Sequence, residues 1–346
     1  MKLNRVAFAA GAAALSLLLA SCSGSSDGGK VSSDDDKSFV YITSDPIGQN
    51  EFLKSGKVGI EKIAEEQGGD AKTYESKDDE TRRANLEQAV AEQPEVIVML
   101  GFQFQDMAKE FAEQYPDQPF LLIDAEAEGA PDNLYEATFR EYEPSYLLGV
   151  EAGMLTKSNK VGSVLSLDIP LLHKYSGGFA EGAESVNDAV KAVKPQIIGG
   201  DNPFADTARA KEQSLAFASG GADQVFAVGA AANGGIMDAA KEKDFFTYGV
   251  DANQCDMAPR HVVDGTVKAV NVVVETVVGE ILDGKTRSEA TSSFGLKEGG
   301  MTIVSLDDGA EDSGCVVMDH DDVLKKVTKT ADDIKDGKLK VKDPSK

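Results

Sequence analysis

Three histidines and three cysteines are all that 346 residues hold of the side chains that most often bind transition metals. His173, His261 and His320 stand far apart, and no two of them lie at metal-ligand spacing. There is no HExxH, no CxxC and no GxSxG, so hydrolytic and redox chemistry lack their usual sequence marks. No metal and no cofactor is expected, and an enzyme reading starts without a catalytic constellation. Positive charge is short as well: 35 Lys and Arg against 59 Asp and Glu leave a net charge of −24. So acidic a surface argues against nucleic acid or anionic lipid as the main partner. The apolar run at residues 6–20 falls short of the roughly 20 residues that a comfortable membrane span needs.

What the N-terminus does carry is an address. Lys2 and Arg5 precede that apolar run, as in a secretory signal. The run closes on Leu19-Ala20-Ser21-Cys22, which resembles a lipobox, with small residues ahead of a cysteine that accepts a diacylglycerol. Residues 1–21 are therefore expected to be a signal peptide and Cys22 the lipidation site. Residues 22–37 are rich in Ser, Gly and Asp, cannot bury a core, and read as a flexible tether. The expected location is extracytoplasmic, lipid-anchored to the cell membrane. In an oxidising compartment Cys255 and Cys315 could pair, although the sequence gives no geometry for it.

Beyond the tether, short β-branched runs alternate with longer amphipathic ones, the pattern of a parallel sheet wrapped by helices. Strands are expected at residues 39–42, 96–100, 120–123, 160–165, 224–228, 246–250 and 301–305, with another near Ile197. Helices are expected up to Glu66 and over 81–92, 146–155 and 207–218, with a long one over 266–282. The length suits two lobes of ordinary domain size. Residues 38–148 with 266–285 are assigned to lobe 1, and 149–265 with 286–318 to lobe 2. Residues 319–346 read as a charged tail forming a solvated helix that frays. In open parallel sheets ligands bind beyond the carboxyl ends of the strands. Asp45, Gly101, Asp124, Gly229 and Asp251 stand at such ends. Singly each is ordinary turn chemistry; at successive strand ends they suggest a site.

At this point the chain resembles the basic membrane protein family, substrate-binding lipoproteins of ABC importers that include purine nucleoside receptors. The resemblance rests on Gly101-Phe102 at a strand end, Phe120–Asp124, and Ser145–Gly149 followed by Lys160-Val161-Gly162. It continues through Gly178-Phe179-Ala180-Glu181-Gly182, Phe204-Ala205-Asp206 with Gly221-Ala222-Asp223, and Gly249-Val250-Asp251-Ala252-Asn253-Gln254 with Lys268 downstream. These motifs span roughly residues 39 to 306, and their order and separation match those of the family. The resemblance implies an α/β type I periplasmic-binding-protein fold: two doubly wound parallel-sheet lobes, joined by three crossings, around a ligand cleft. It also implies a monomer that performs no chemistry and hands a small molecule, with a nucleoside favoured, to an ABC permease.

By position, the resemblance implies ligand contacts at Asp124, Phe204, the Gly229 loop, Asp251 and Lys268, with Gly101 and Phe102 at the first glycine turn. A ribose diol can give two charge-assisted hydrogen bonds to one carboxylate. Lys268 would donate to sugar oxygens while compensating Asp251, otherwise a costly buried charge. Phe204 would present a flat face to a base, with Phe52 either a second face or core. The first loop departs from the family: Gln49 stands where an aspartate reads the base, with Asn50 beside it. Lys57 replaces a frequent aromatic, and Asn253 a frequent aspartate. An amide both donates and accepts, so Gln49 or Asn50 could still read a base edge, of altered preference. Two other classes stay open: a membrane-anchored ligand sensor, and an importer component for a sugar or other small polar solute. Catalysis by Asp251 and Lys268 is the remaining alternative, and the pair is equally well explained as ligand contacts.

Overall fold

The structure is a computed structural model that describes residues 37–346. The signal-peptide and Cys22 readings lie outside the described residues. Lobe 1 begins with β1 (Ser38–Thr43), α1 (Glu51–Gln67), β2 (Asp70–Glu75), α2 (Asp79–Glu92) and β3 (Val96–Leu100). It continues through α3 (Gln105–Gln114), β4 (Phe120–Ile123) and β5 (Leu134–Phe139). Lobe 2 contains α4 (Tyr142–Leu155), β6 (Lys160–Leu165), α5 (Pro170–Val186), β7 (Lys191–Ala192), β8 (Gln196–Ile197) and α6 (Thr207–Ser219). It goes on with β9 (Gln224–Val228), α7 (Asn233–Lys243), β10 (Phe246–Gly249) and β11 (Val262–Lys268). The chain then returns to lobe 1 for α8 (Val270–Leu282) and β12 (Ser293–Phe294). It closes in lobe 2 with β13 (Met301–Ile303) and α9 (Asp321–Lys335).

The first sheet runs β12-β5-β4-β3-β1-β2, with every pairing parallel. Its strands alternate between two cores, as the pleat requires. Phe39, Tyr41, Val96 and Val98 face α1 and α8, whereas Val40, Ile42, Ile97 and Met99 face α2 and α3. A sheet buried on both faces carries continuous apolar strands, which is why these runs stand out in the sequence. Helix α1 starts at Asn50, whose side chain accepts from the Leu53 amide, and stops at Gly68 with φ 70°. The second sheet runs β13-β11-β10-β9-β6-β7, with β8 also on β6; only β13 is antiparallel.

Two glycine pairs explain one motif. Gly149 and Gly153 on α4 lie against the backbone of Phe179 and Ala183 on α5, and Gly178 and Gly182 on α5 lie against that of Tyr142 and Tyr146 on α4, so any Cβ would overlap the facing backbone. The glycines of Gly178-Phe179-Ala180-Glu181-Gly182 therefore serve close helix packing, and Phe179 is core.

Several boundaries differ from the sequence expectation. Residues 142–148 belong to lobe 2, because Tyr146, Leu147 and Leu148 pack in its core. Ser293 and Phe294 pair with β5 and so belong to lobe 1. The helix expected over 266–282 is a strand followed by a helix. Thr266, Val267 and Lys268 pair with β13, and the helix begins only at Val270. An unbroken valine-rich stretch hides that break, since a short apolar run has no period that tells strand from helix. The tail is also no solvated helix. Val323, Val327, Ala331 and Ile334 recur at helical spacing on α9 and are buried in the lobe 2 core. Cys255 and Cys315 form a disulfide, Cα atoms 5.0 Å apart. No helix of the described residues is long and apolar enough to cross a membrane.

Candidate functional site

Three crossings connect the lobes, at residues 140–141, at Ala269, and at 295–300. Between the lobes lies a cleft of about 770 Å³, walled by the carboxyl ends of β1, β3, β4, β9 and β10. Its size falls within the range of small-molecule sites. Four of its residues at or just after those ends hold a positive φ: Gly101 at 118°, Asp124 at 73°, Ala230 at 50° and Asp251 at 70°. Three are not glycine, and non-glycine residues held in the left-handed region concentrate at ligand sites, where surrounding structure offsets the strain. Asp124 and Asp251 occupy equivalent strand ends in the two lobes.

One end of the cleft is charged. The Lys268 ammonium donates to Asp124 Oδ1 at 2.7 Å and to Glu141 Oε1 at 3.1 Å. It also lies 4.4 Å from the Phe139 ring centroid, 5.0 Å from Phe52 and 5.8 Å from Tyr175, a cation–π arrangement. Lys268 and Glu141 are both buried. Burial by itself would lower the Lys268 pKa, but Asp124, Tyr175, Glu141 and Asp251 outweigh it and hold the ammonium charged. Asp124 is pushed upward by burial, against the pull of Lys268. Asp251 is pushed up to about 6 by burial, again opposed by Lys268. Its carboxylate makes no hydrogen bond or ion pair with any described residue. Lys268 was expected to compensate Asp251; it pairs with Asp124 and Glu141 instead, because the end of β11 points it at lobe 1 and the first crossing.

The other walls are apolar and aromatic. Phe102 from lobe 1 and Phe204 from lobe 2 approach to 6.5 Å between centroids, tilted by 50°. Phe52 packs on the lobe 1 core and also lines the cleft. Gln49 lines the cleft as well, its Oε1 accepting from Lys54 at 3.4 Å. Asn50 lines it too, but its Oδ1 caps α1. Gln103 donates to Asp45 at 3.1 Å beside them.

Of the residues the sequence singled out, Gln49, Asn50, Phe52, Gly101, Phe102, Asp124, Phe204, Asp251 and Lys268 all line this one cleft. Gly229 does not. Its amide donates to Asn233 Oδ1 at 2.8 Å, and Ala230 and Ala231 form the wall. Sequence reasoning missed Glu141, Tyr175 and an amide bridge. Asn233, fully buried, donates to Gln254 Oε1 at 2.9 Å, and Val250 donates to the same oxygen at 3.4 Å. That bridge fixes the β9 loop against the β10 loop. A Cβ on Gly249 would lie 2.7 Å from Gln254 Oε1, so a side chain there would displace the bridge. The fixed interval between Gly249 and Gln254 was the available signal.

The family model described as "ABC transporter substrate-binding protein PnrA-like" matches residues 37–339, which cover both lobes and every cleft residue. The chain belongs to this family. The nucleoside-binding protein BmpA of Lactococcus lactis subsp. cremoris is 28% identical over 370 residues, covering 100% of both chains. The CD4+ T-cell-stimulating antigen of Listeria innocua is 28% identical over 363 residues, 95% of this chain and 97% of that one. Among solved structures, a solute-binding protein of an ABC transporter system from Aeropyrum pernix K1 superposes with TM-score 0.73 at 24% identity. The match covers 90% of this chain and 94% of that one, and fixes the fold as that of the periplasmic solute-binding proteins. Family members are ABC transporter substrate-binding proteins rather than enzymes.

Proposed function

We propose that this substrate-binding protein captures a nucleoside in the interlobe cleft, outside the cytoplasm, and delivers it as a monomer to an ABC permease. The observation that carries the reading is the polarity of the cleft. Asp124, Asp251 and Lys268 gather at one end, beside the Phe52 ring, and Phe102 and Phe204 approach each other on the wall. A nucleoside has the same division, a polyol joined to a flat apolar ring. Two ribose hydroxyls donating to Asp251 would each contribute about 1.5–3 kcal/mol, and ring contacts about 0.5–1.5 kcal/mol beyond burial. Three or four such contacts reach the roughly 8 kcal/mol of micromolar affinity. Gln49 and Gln103, in place of an acidic base reader, suit a base edge that both donates and accepts. The relative in L. lactis named as nucleoside-binding supports the same ligand class. Cys22, as the lipid acceptor, would keep the trap at the membrane surface, with residues 22–37 as its tether.

The test is thermal unfolding of the purified protein with purine and pyrimidine nucleosides at millimolar concentration, with pentoses and hexoses in parallel. A ligand selective for the folded state raises the midpoint by mass action. A rise with at least one nucleoside and none with free sugars is the expected result. No shift with any nucleoside rejects the ligand class. Mass spectrometry of membrane-extracted protein, finding Cys22 unmodified, would reject the anchor.

A further inference from the structure

Asp251 is the one carboxylate of the charged end that takes no hydrogen bond from Lys268, although it feels the charge of that ammonium. Glu141 lies in the first crossing, between β5 and α4, with its side chain fully buried. Oε1 accepts from Lys268 at 3.1 Å, and Oε2 lies 3.3 Å from the ammonium of Lys174 on α5. Lys174 in turn donates to the Phe139 carbonyl at 3.1 Å, so it meets Glu141 as an ion pair and Oε2 accepts no hydrogen bond. An ammonium has three donors. Asp124 and Glu141 take two from one side, and the rings of Phe139, Phe52 and Tyr175 surround the rest. Two lysines therefore face three carboxylates, and the carboxylate left over is Asp251.

We propose that Glu141 is a positioning residue: it draws the Lys268 ammonium toward Asp124 and the first crossing, and so keeps the Asp251 carboxylate unpaired for the hydroxyls of an incoming ligand. This role rests on the nucleoside reading only for the identity of that ligand. With Glu141 neutral, Lys268 keeps Asp124 and gains Asp251 as its second partner, since a buried ammonium seeks two acceptors where two are in reach. Asp251 is then engaged before the ligand arrives.

The test follows the Asp251 carboxyl carbon by NMR in full-length, ¹³C-aspartate-labelled protein in detergent, without solute, its signal assigned with Asp251→Asn. The groups acting on Asp251 are Lys268 from β11, Glu141 from the first crossing, Glu51 from α1 and Tyr175 from α5. In the wild type it titrates at about 6. In Glu141→Gln it titrates lower, partly because the repulsion from the Glu141 carboxylate is gone whatever Lys268 does, so the variant that isolates the exchange of partners is the one that keeps the charge. Glu141→Asp, one methylene shorter and retaining the charge, moves it in the same direction by less, and carries the test even if Glu141→Gln loses its circular-dichroism spectrum. Lys174→Gln leaves Asp251 within a few tenths of a unit of wild type, because Glu141 still holds Lys268. An unmoved Asp251 in Glu141→Asp, or an equal fall in Lys174→Gln, overturns the assignment; the latter would mean simple loosening.

Calorimetry separates this from the ligand reading. With the tightest binder among adenosine, guanosine, inosine, cytidine and uridine at pH 8, Glu141→Gln weakens affinity about tenfold, the cost of breaking one charge-assisted pair. Nucleoside binding that is strong while Asp251 fails to respond removes the role of Glu141. A responsive Asp251 in a protein that binds none of the five removes the nucleoside and leaves the positioning role intact.

Discussion

Replacing Asp251 by asparagine should move stability and binding in opposite directions. Burial has raised the Asp251 carboxyl from 3.8 to about 6, so the folded state holds its proton more tightly than the unfolded chain does. A raised carboxyl pKa means that folding is most favoured below pH 3.8 and loses stability as pH rises through the window up to about 6. Full burial would make that loss about 3 kcal/mol by linkage, at 1.36 kcal/mol per pH unit. The side chain is only half-buried at the cleft wall, so solvent screening reduces it to about 1 kcal/mol. Asparagine carries no charge and escapes the penalty. At pH 8 the variant should be more stable than wild type by about 1 kcal/mol, and its stability should be flatter across that window. Binding goes the other way. Two charge-assisted hydrogen bonds become neutral ones, each losing about 1 kcal/mol, or about 30-fold in affinity together. Wild-type affinity should also fall toward acid, as Asp251 takes up a proton. Urea unfolding and nucleoside calorimetry over pH 5–8 read both quantities. A variant that binds like wild type, or one that is less stable at pH 8, refutes an unpaired carboxylate waiting for ligand donors.

A second buried acid pair lies away from the cleft, where Glu151 on α4 meets Asp264 on β11. Burial raises Glu151 well above its ordinary range and Asp264 to about 6, so Glu151→Gln should stabilise the protein at pH 8 and much less at pH 4, read by urea unfolding. The Cys255–Cys315 disulfide spans 60 residues, and chain entropy gives it up to about 4 kcal/mol; a reductant, or serine at both positions, should lower the melting temperature by several degrees. Since Cys255 follows the Asp251 loop, reduction should also weaken nucleoside binding, which calorimetry with and without reductant would show. Val327 on α9 is fully buried, and Val327→Asp should destabilise lobe 2 by more than about 3 kcal/mol; an unchanged melting temperature would mean that the helix is not docked.

Two kinds of signal made the chain legible, and one kind was absent. Apolar strands such as Val96–Leu100 and Phe120–Ile123 stood out because both sheet faces are covered, and their ends pointed to Gly101 and Asp124. Edge strands did not. Asp70–Glu75 alternates charged and partly buried residues and resembles a loop, and its place in the sheet comes from pairing with β1. Glu141 and Tyr175 had no periodicity or motif to mark them; each matters through contacts made with residues more than 90 positions away. The domain boundaries failed for a related reason, since lobe membership is decided by which core a helix packs on.

By itself the sequence determined the α/β class, the family, and nine of the ten residues expected to line the cleft. Those are properties of local composition, strand polarity and fixed spacing, which one dimension carries. Only the tertiary structure decided that Lys268 ends a strand, that it pairs with Asp124 and Glu141, and that Asp251 stands free. The reason is electrostatic: a buried ammonium takes whichever carboxylates the fold brings within about 3 Å, and sequence separation does not enter that choice.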